Sequence, residues 1–413
     1  MRVMIVSCVF PPEPVVSGRT SAHLARRLVE LGHTVTVVTG FPNRHGGEVY
    51  PGYRRRLFQR STEQGLRMLR CFATTSKQSR FLSRMLENLS FGITSSVAVL
   101  LLPRSDIIYA NTWPLLAGGL VMAAARLRRI PVVLSIQDVY PESLIAQRRL
   151  RADSRFARVL RAFDGWVARG AAALVPISPS FGSLYQTTRG VPAERITVVP
   201  NWVDGQTIQP NDPAAASVRA ELGIPTGVRL AAYCGNVGVA AGVESVIDAF
   251  QTALAMTATH LLIAGAGSQL AACRQRAEAA RAHISFLTPW PVEDTSRVLS
   301  AADYLILPTS GEQSLSSVPS KLIAYMLAAR PVVAVALPNS DLAGTVESAG
   351  CGWVVVPDQP QALADQLKAL LAVPADELAR RGQAGREYAL RHFVGETCLP
   401  KVIGALERVA VGG

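Results

Sequence analysis

The chain has 413 residues, 49% of them apolar and 17% charged, which excludes a mainly disordered protein. At roughly 150 residues per domain it holds two or three full-sized cores. The net charge of +12 sits in the first half: residues 1–205 carry 27 Lys/Arg against 12 Asp/Glu, residues 206–413 carry 15 against 18.

A basic half of this kind meets nucleic acid, anionic lipid or a phosphorylated substrate, or is simply a solvated Arg-rich surface. Six Cys without any CxxC pair exclude a disulfide scaffold and the usual zinc frameworks. They fit a reduced, cytosolic compartment.

Met1-Arg2 leads directly into the apolar run Val3–Val9, with no cleavage-type region, so no secretory leader is expected. The apolar runs Val97–Pro103 and Leu115–Ala125 fall short of the ~20 residues a spanning helix needs. The expectation is a soluble protein, or one lying on a membrane surface.

Val3–Val9 reads as a buried strand, followed by a Pro-rich loop through Ser17-Gly18 and a helix from about Ser21 to Leu31 that stops at Gly32. Thr34–Thr39 is the next strand, β-branched at nearly every position. The Arg-rich stretch 54–105 breaks the rhythm and reads as one or two amphipathic helices, Arg67–Arg70 and Phe81–Leu102. Strands at Asp106–Ala110, Pro131–Ile136, Ala173–Ile177 and Ile196–Val199 follow, with a helix over Ala117–Arg128.

Near Asn201–Asn211 the pattern loosens into a linker and then restarts. Strands at Arg229–Cys234, His260–Ala264, Ile284–Phe286, Tyr304–Leu307, Val332–Ala336 and Gly352–Val356 alternate with helices, and the tail from about Ala375 to Val411 is helical. Short continuous apolar strands spaced by helices indicate parallel sheets covered on both faces. The fold class is therefore α/β, two tandem doubly wound domains, with ligands expected at the carboxyl ends of the strands, in a cleft between the domains.

Gly-rich turns follow three strands: Ser17-Gly18, Gly235-Asn236-Val237-Gly238 and Gly265-Ala266-Gly267. Each is either a tight turn or a place where the backbone approaches a phosphate beside a helix N-terminus. No G-x-G-x-x-G follows the first strand and no Walker A pattern occurs, so a dinucleotide fingerprint is absent. Lys is rare, four in the chain, and one of them follows Val318-Pro319-Ser320. Pro319 suits a helix start, which puts Ser320 and Lys321 in the first turn, where the dipole favours an anion. A cation there reads as an anion contact or as an exposed side chain.

The six His are scattered, and no HExxH or DxD spacing is present. Asp138 and Glu142, in Gln137-Asp138-Val139-Tyr140-Pro141-Glu142, follow a strand at its carboxyl end. They are the acid–base or hydroxyl-binding candidates of the first domain, with capping of the next turn as the alternative for Asp138.

Together these pieces resemble the retaining glycosyltransferases of family 4, with the GT-B architecture, over nearly the whole chain. The matching segments are Phe10-Pro-Pro-Glu-Pro14, Gly32–Asn43, Gln137–Ser143, Val199–Asp204, Tyr233–Gly238 and Val318–Lys321. The branch looks like bacterial exopolysaccharide and O-antigen enzymes, similar to colanic-acid and N-acetylfucosamine transferases.

The resemblance implies a retaining hexosyl or N-acetylhexosaminyl transferase. It implies an acceptor domain over 1–205, a nucleotide-sugar domain over 206–390, and a C-terminal helix over 391–413 packing back towards the first. Lys321, Ser320, Ser317, Gly235, Asn236, Gly238, Gly265 and Gly267 would bind the donor, with Gly18 and Arg19 over its phosphates and sugar. Asp138 and Glu142 would serve catalysis, Asp138 facing the reacting hydroxyl.

No cofactor and no metal are expected, because cations and helix N-termini would stabilise the leaving diphosphate. The implied partners are a nucleotide sugar, a lipid-linked or oligosaccharide acceptor and an anionic membrane surface, with no nucleic acid. The implied location is cytoplasmic, peripheral on the inner face of the plasma membrane. The family's E-x7-E pair falls on Ser317 and Ala324, so both carboxylates are missing, and the Arg and Lys of many members fall on Asn236 and Ala241. A sugar-nucleotide epimerase, a non-catalytic binding member and a dehydrogenase are the rival readings.

Overall fold

The computed structural model describes residues 1–44, 47–75, 81–112, 114–146, 149–254, 259–280, 283–289, 294–309 and 320–412. The chain divides into two compact units, Met1–Trp202 with Gly395–Gly413, and Val203–Val394.

In the first unit the strands are β1 (Arg2–Ser7), β2 (Thr34–Gly40), β3 (Phe58–Glu63), β4 (Leu66–Cys71), β5 (Ile107–Asn111), β6 (Val132–Ile136) and β7 (Ala173–Pro176). They form one sheet in the order β3-β4-β2-β1-β5-β6-β7, parallel except for β3. Its helices are α1 (Val16–Glu30), α2 (Phe81–Leu101), α3 (Leu115–Leu127), α4 (Glu142–Ala146), α5 (Arg155–Gly170) and α6 (Pro179–Arg189). Side chains alternate across the sheet, so Met4 and Val6 join the core under α2 and α3, while Val3 and Ile5 join the core under α1.

Three expectations are corrected here. Arg67–Arg70 is strand, not helix, because Gln64 and Gly65 both have positive φ (51° and 79°), the geometry of a tight hairpin turn between β3 and β4. Pairing of β4 with β2 then buries Leu69, Arg70 and Cys71, a reward that a four-residue pattern cannot display. Gly18 and Arg19 lie within α1, not in a loop before it, since that helix begins at Val16. Gly18 faces the backbone of Val9 and Phe10, where a Cβ would sit 3.3 Å away. Finally, Ile196–Val199 is not a full strand: it runs beside β7 with a bridge between Ile196 and Leu174, and the N–H groups of Thr197 and Val199 donate to the Leu174 and Pro176 carbonyls (both 2.9 Å), where β7 itself ends.

The second unit repeats the plan. Its strands are β8 (Arg229–Cys234), β9 (Thr259–Ala264), β10 (Ile284–Leu287), β11 (Tyr304–Pro308), β12 (Val332–Val335) and β13 (Gly352–Val355), ordered β10-β9-β8-β11-β12-β13 and all parallel. The helices α7 (Ala215–Glu221), α8 (Val243–Leu254), α9 (Leu270–Ala280), α10 (Thr295–Ala301), α11 (Ser320–Leu327), α12 (Asp341–Ala349), α13 (Pro360–Leu371) and α14 (Ala375–His392) cover its two faces. The helical tail is broken at Phe393-Val394, and α15 (Gly395–Val411) belongs to the first unit, packing on α1, β5, β6 and β7.

Strand order reverses beside β1 in the first sheet and beside β8 in the second. In open α/β sheets ligands bind outside the carboxyl ends of the strands at such switch points.

Candidate active site

The loops after β8 and β9 meet directly. Gly235 N–H donates to the Ala264 carbonyl (2.8 Å), and Val237 N–H to the Ala266 carbonyl (2.9 Å). A Cβ on Gly265 would fall 1.9 Å from the Gly235 carbonyl oxygen, and one on Gly267 2.1 Å from that of Val237. These two glycines are needed for loop-on-loop packing, the plainer of their two sequence readings. Gly235 is different, because its Cβ would meet a side chain, Lys321 Cε, at 2.3 Å. Gly238 faces the amide of Asn236, itself exposed.

Lys321 is the second residue of α11, whose expected start at Pro319 lies outside the described residues, and its stem crosses Gly235. Its Nζ donates to the Tyr233 hydroxyl (2.5 Å) and lies 4.7 Å from the centre of that ring. Tyr233 in turn donates to the Asn236 carbonyl (2.6 Å). One turn along α11, the Tyr325 hydroxyl bonds both the N–H and the carbonyl of Cys234, at 2.9 and 3.0 Å, and so ties the helix to the end of β8. Among the described residues no carboxylate pairs with Lys321. Burial therefore pushes its ammonium down to about 8, with Cys234 opposing. The result is a desolvated, uncompensated cation beside a helix N-terminus, an arrangement suited to a phosphate group.

Ser320 is exposed at the same turn, whereas Ser317 lies outside the described residues. Ala324 is half-buried on α11, and Ala241 is buried in the 3-10 turn Val239–Ala241. Tyr233 and Tyr325 were passed over in the sequence because strand and helix periodicity accounts for both as core aromatics.

In the first unit, Asp138 follows β6. Its Oδ1 accepts from the Val139 N–H (3.0 Å) and from the Ser143 hydroxyl, bonds local to the turn that leads into α4. Burial raises the Asp138 carboxyl above its ordinary value, opposed by the bonds from Ser143, Val139 and Tyr140. Glu142 is occupied otherwise: one oxygen accepts from Arg189 at 2.6 Å and the other from Arg161 at 3.3 Å. Arg189, fully buried, also reaches the Tyr140 carbonyl (3.0 Å) and Asp164 (2.8 Å), and Asp164 accepts from the Tyr185 hydroxyl (2.9 Å). The geometry gives Glu142 a part in holding the Asp138 loop, and leaves Asp138 without an ion-pair partner among the described residues.

At the switch point of this sheet, Asn111 donates to the hydroxyls of Ser7 (2.8 Å) and Ser21 (3.2 Å). Buried Glu13 accepts from the N–H groups of Asn43 (2.8 Å) and Arg44 (3.0 Å), joining the loops after β1 and β2. Glu13 and Asn43 stood inside two of the segments that carried the resemblance, without a role of their own. Arg19 is exposed in the first turns of α1.

The profile described as "Glycosyl transferase 4-like domain" matches residues 17–202, and that described as "Glycosyl transferases group 1" matches residues 229–373. The chain belongs to the family 4 glycosyltransferases. Among similar proteins, the probable glycosyltransferase WbjE of Pseudomonas aeruginosa is 27% identical over 296 residues, 70% of this chain and 72% of that protein. The putative colanic acid biosynthesis glycosyl transferase WcaI of Escherichia coli K12 is 22% identical over 410 residues, 96% of this chain and 99% of its own.

Among solved structures, sucrose-phosphate synthase from Thermosynechococcus elongatus superposes with a TM-score of 0.76 at 17% identity, covering 100% of both chains. HepE of Anabaena, in complex with UDP-glucose, gives 0.69 at 15%, covering 99% of this chain and 100% of its own. The fold of this family 4 glycosyltransferase is GT-B, two Rossmann-like domains, as the alternation of strands and helices implied.

Proposed function

We propose that the second unit binds a nucleoside-diphosphate sugar and that its hexosyl or N-acetylhexosaminyl group passes, with retention, to a lipid-linked or glycan acceptor held by the first unit. The observation that carries this reading is Lys321, a half-buried ammonium over Gly235 with no carboxylate partner among the described residues. A diphosphate would supply that charge, and the α11 N-terminus would share it; together they would stabilise the leaving group without a metal. HepE, solved with UDP and with UDP-glucose, supports a nucleotide-sugar donor, and WcaI supports cell-surface polysaccharide synthesis. Asp138 is the residue we assign to the reacting hydroxyl. An acceptor on a lipid would place the reaction at the cytoplasmic face of an anionic membrane.

The test is thermal stabilisation by UDP, GDP, dTDP and CDP, first without metal and then with Mg²⁺. A ligand at about 100 times its dissociation constant adds roughly 2.7 kcal/mol, which is easily read as a melting shift. One diphosphate should stabilise the protein without metal, and Lys321→Met should at least halve the shift. Silence across the panel would remove the donor site and leave a non-catalytic member.

A further inference from the structure

The helix α2 packs one side on the sheet, burying Phe91, Ser95, Ala98 and Val99. Its opposite side is also apolar. Met85, Leu86, Leu89 and Ile93 are 37%, 54%, 42% and 51% exposed, and they recur at the spacing of a single helical stripe. Leu100 continues that stripe at the far end of the helix. A helix apolar on both sides is normally buried on both, so among the described residues this face lacks a partner.

The surroundings of the stripe identify the partner's chemistry. Glu87 is the sole acid of α2, and it is turned inward, bound by Arg44 (2.7 Å) and Arg84 (2.8 Å). The three exposed residues Arg54, Arg55 and Arg56 lie alongside: Arg55 donates to the Thr75 hydroxyl, while the neighbouring Thr74 N–H donates to Ser90 of α2 (2.9 Å). An apolar stripe flanked by arginines and free of exposed carboxylates matches an anionic lipid surface, where apolar side chains enter the acyl boundary and guanidinium groups meet phosphates. A second copy of the chain fits poorly, since self-pairing of this face would set the same arginines against each other.

Position adds a third observation. The chain enters α2 from the end of β4 and leaves it for the start of β5, where Asp106 N–H bonds the Arg2 carbonyl (2.8 Å). The Met85–Ile93 half of the stripe therefore lies towards the carboxyl ends of the strands, the ligand side of the sheet.

We propose that α2 and the Arg54–Arg56 segment form a docking face for an anionic membrane, seating the first unit with its strand ends towards the lipid. This deepens the proposed reading, from which it takes the lipid-borne acceptor, but docking itself is measurable without any sugar transfer.

The experiment is flotation of the full-length chain with vesicles of phosphatidylcholine alone or with about one-third phosphatidylglycerol, at 50 and 500 mM salt. We expect binding to the anionic vesicles that weakens with salt. The double variant Leu89→Glu/Ile93→Glu should lose it at both salts. Arg54→Ser/Arg55→Ser/Arg56→Ser should lower partitioning about 100-fold at low salt, from roughly tenfold or less per arginine. Leu31→Glu, exposed at the end of α1 over the other face of the sheet, should bind as the parent does. Excess glycerol phosphate should not compete, which separates a lipid surface from a free phosphate site.

Failure of the parent to float with anionic vesicles at low salt, or equal flotation of the α2 variant, would overturn the proposal. So would a concentration-dependent dimer that Ile93→Glu dissolves, which would assign the face to a second copy. The nucleotide melting shift, run on the same variants, reports separately on the donor reading and shows that they are folded.

Discussion

The ammonium of Lys321 lies 2.5 Å from the Tyr233 hydroxyl, across 88 residues of sequence, and among the described residues it is held by neutral groups. A buried cation in that state is unfavourable in the free protein and favourable once an anion arrives. Its lowered proton affinity ties stability and ligand binding to pH in opposite directions.

Lys321 titrates near 8 when folded against 10.5 when unfolded. Its contribution to stability is therefore present above 10.5 and lost as pH falls through 8. At pH 7, Lys321→Met should raise the stability of the free protein, by about 2 kcal/mol, while lowering diphosphate affinity more than tenfold. Calorimetric titration in buffers of different ionisation heat should show proton uptake on nucleotide binding near pH 8. In the parent the affinity should fall as pH rises beyond 8, by up to about tenfold per unit, and the variant should lack that slope.

Gly235 and Gly265 end neighbouring strands and look equivalent in sequence, yet alanine should affect them differently. At Gly265 the new Cβ meets backbone at 1.9 Å, so the second unit should be lost or strongly destabilised. At Gly235 it meets the flexible Lys321 side chain at 2.3 Å, although φ of 146° adds strain. Gly235→Ala should fold with a lower melting temperature and a weakened nucleotide shift. Circular dichroism and the melting assay distinguish the two outcomes.

Asp164 and Arg189 are both fully buried and joined at 2.8 Å. Removing one charge leaves the other unpaired in the interior, which typically costs about 3–5 kcal/mol. Asp164→Asn should lower the melting temperature accordingly, with Glu142 limiting the loss by retaining part of the Arg189 charge. Because Arg189 also holds the Tyr140 carbonyl, Arg189→Lys should lower kcat more than it raises the KM for donor. Steady-state kinetics on the variant check this.

Asp138→Asn keeps the size of the side chain and removes the carboxylate. With an acid–base role in transfer, the loss in kcat should be about 100-fold or more, and the nucleotide melting shift should be unchanged. A variant with near-normal kcat would leave Asp138 with only the local structural role that its bonds to Val139 and Ser143 describe.

Much of the architecture was legible in local pattern. Val3–Val9, Thr34–Thr39 and Arg229–Cys234 are continuous apolar or β-branched runs, and such runs occur where a strand is covered on both faces. The same logic located the turns at Gly235–Gly238 and Gly265–Gly267 after their strands and put Lys321 near the start of α11. It failed at Arg67–Arg70, where four residues fit either period and only pairing with β2 made them a strand. It also started α1 too late, because the first turn of that helix is defined by close packing on Phe10 rather than by a side-chain cap.

By itself, then, the sequence determined two α/β domains and the strand ends at which ligands of such sheets bind, since burial and helix or strand period are properties of neighbouring residues. Only the tertiary structure decided what each candidate does. Gly265 packs a loop while Gly235 accommodates Lys321, and Glu142 is committed to Arg189 while Asp138 is not. The physical reason is that charge compensation and steric contact depend on partners 30 to 88 residues away, and periodicity records that a side chain is buried without recording against what.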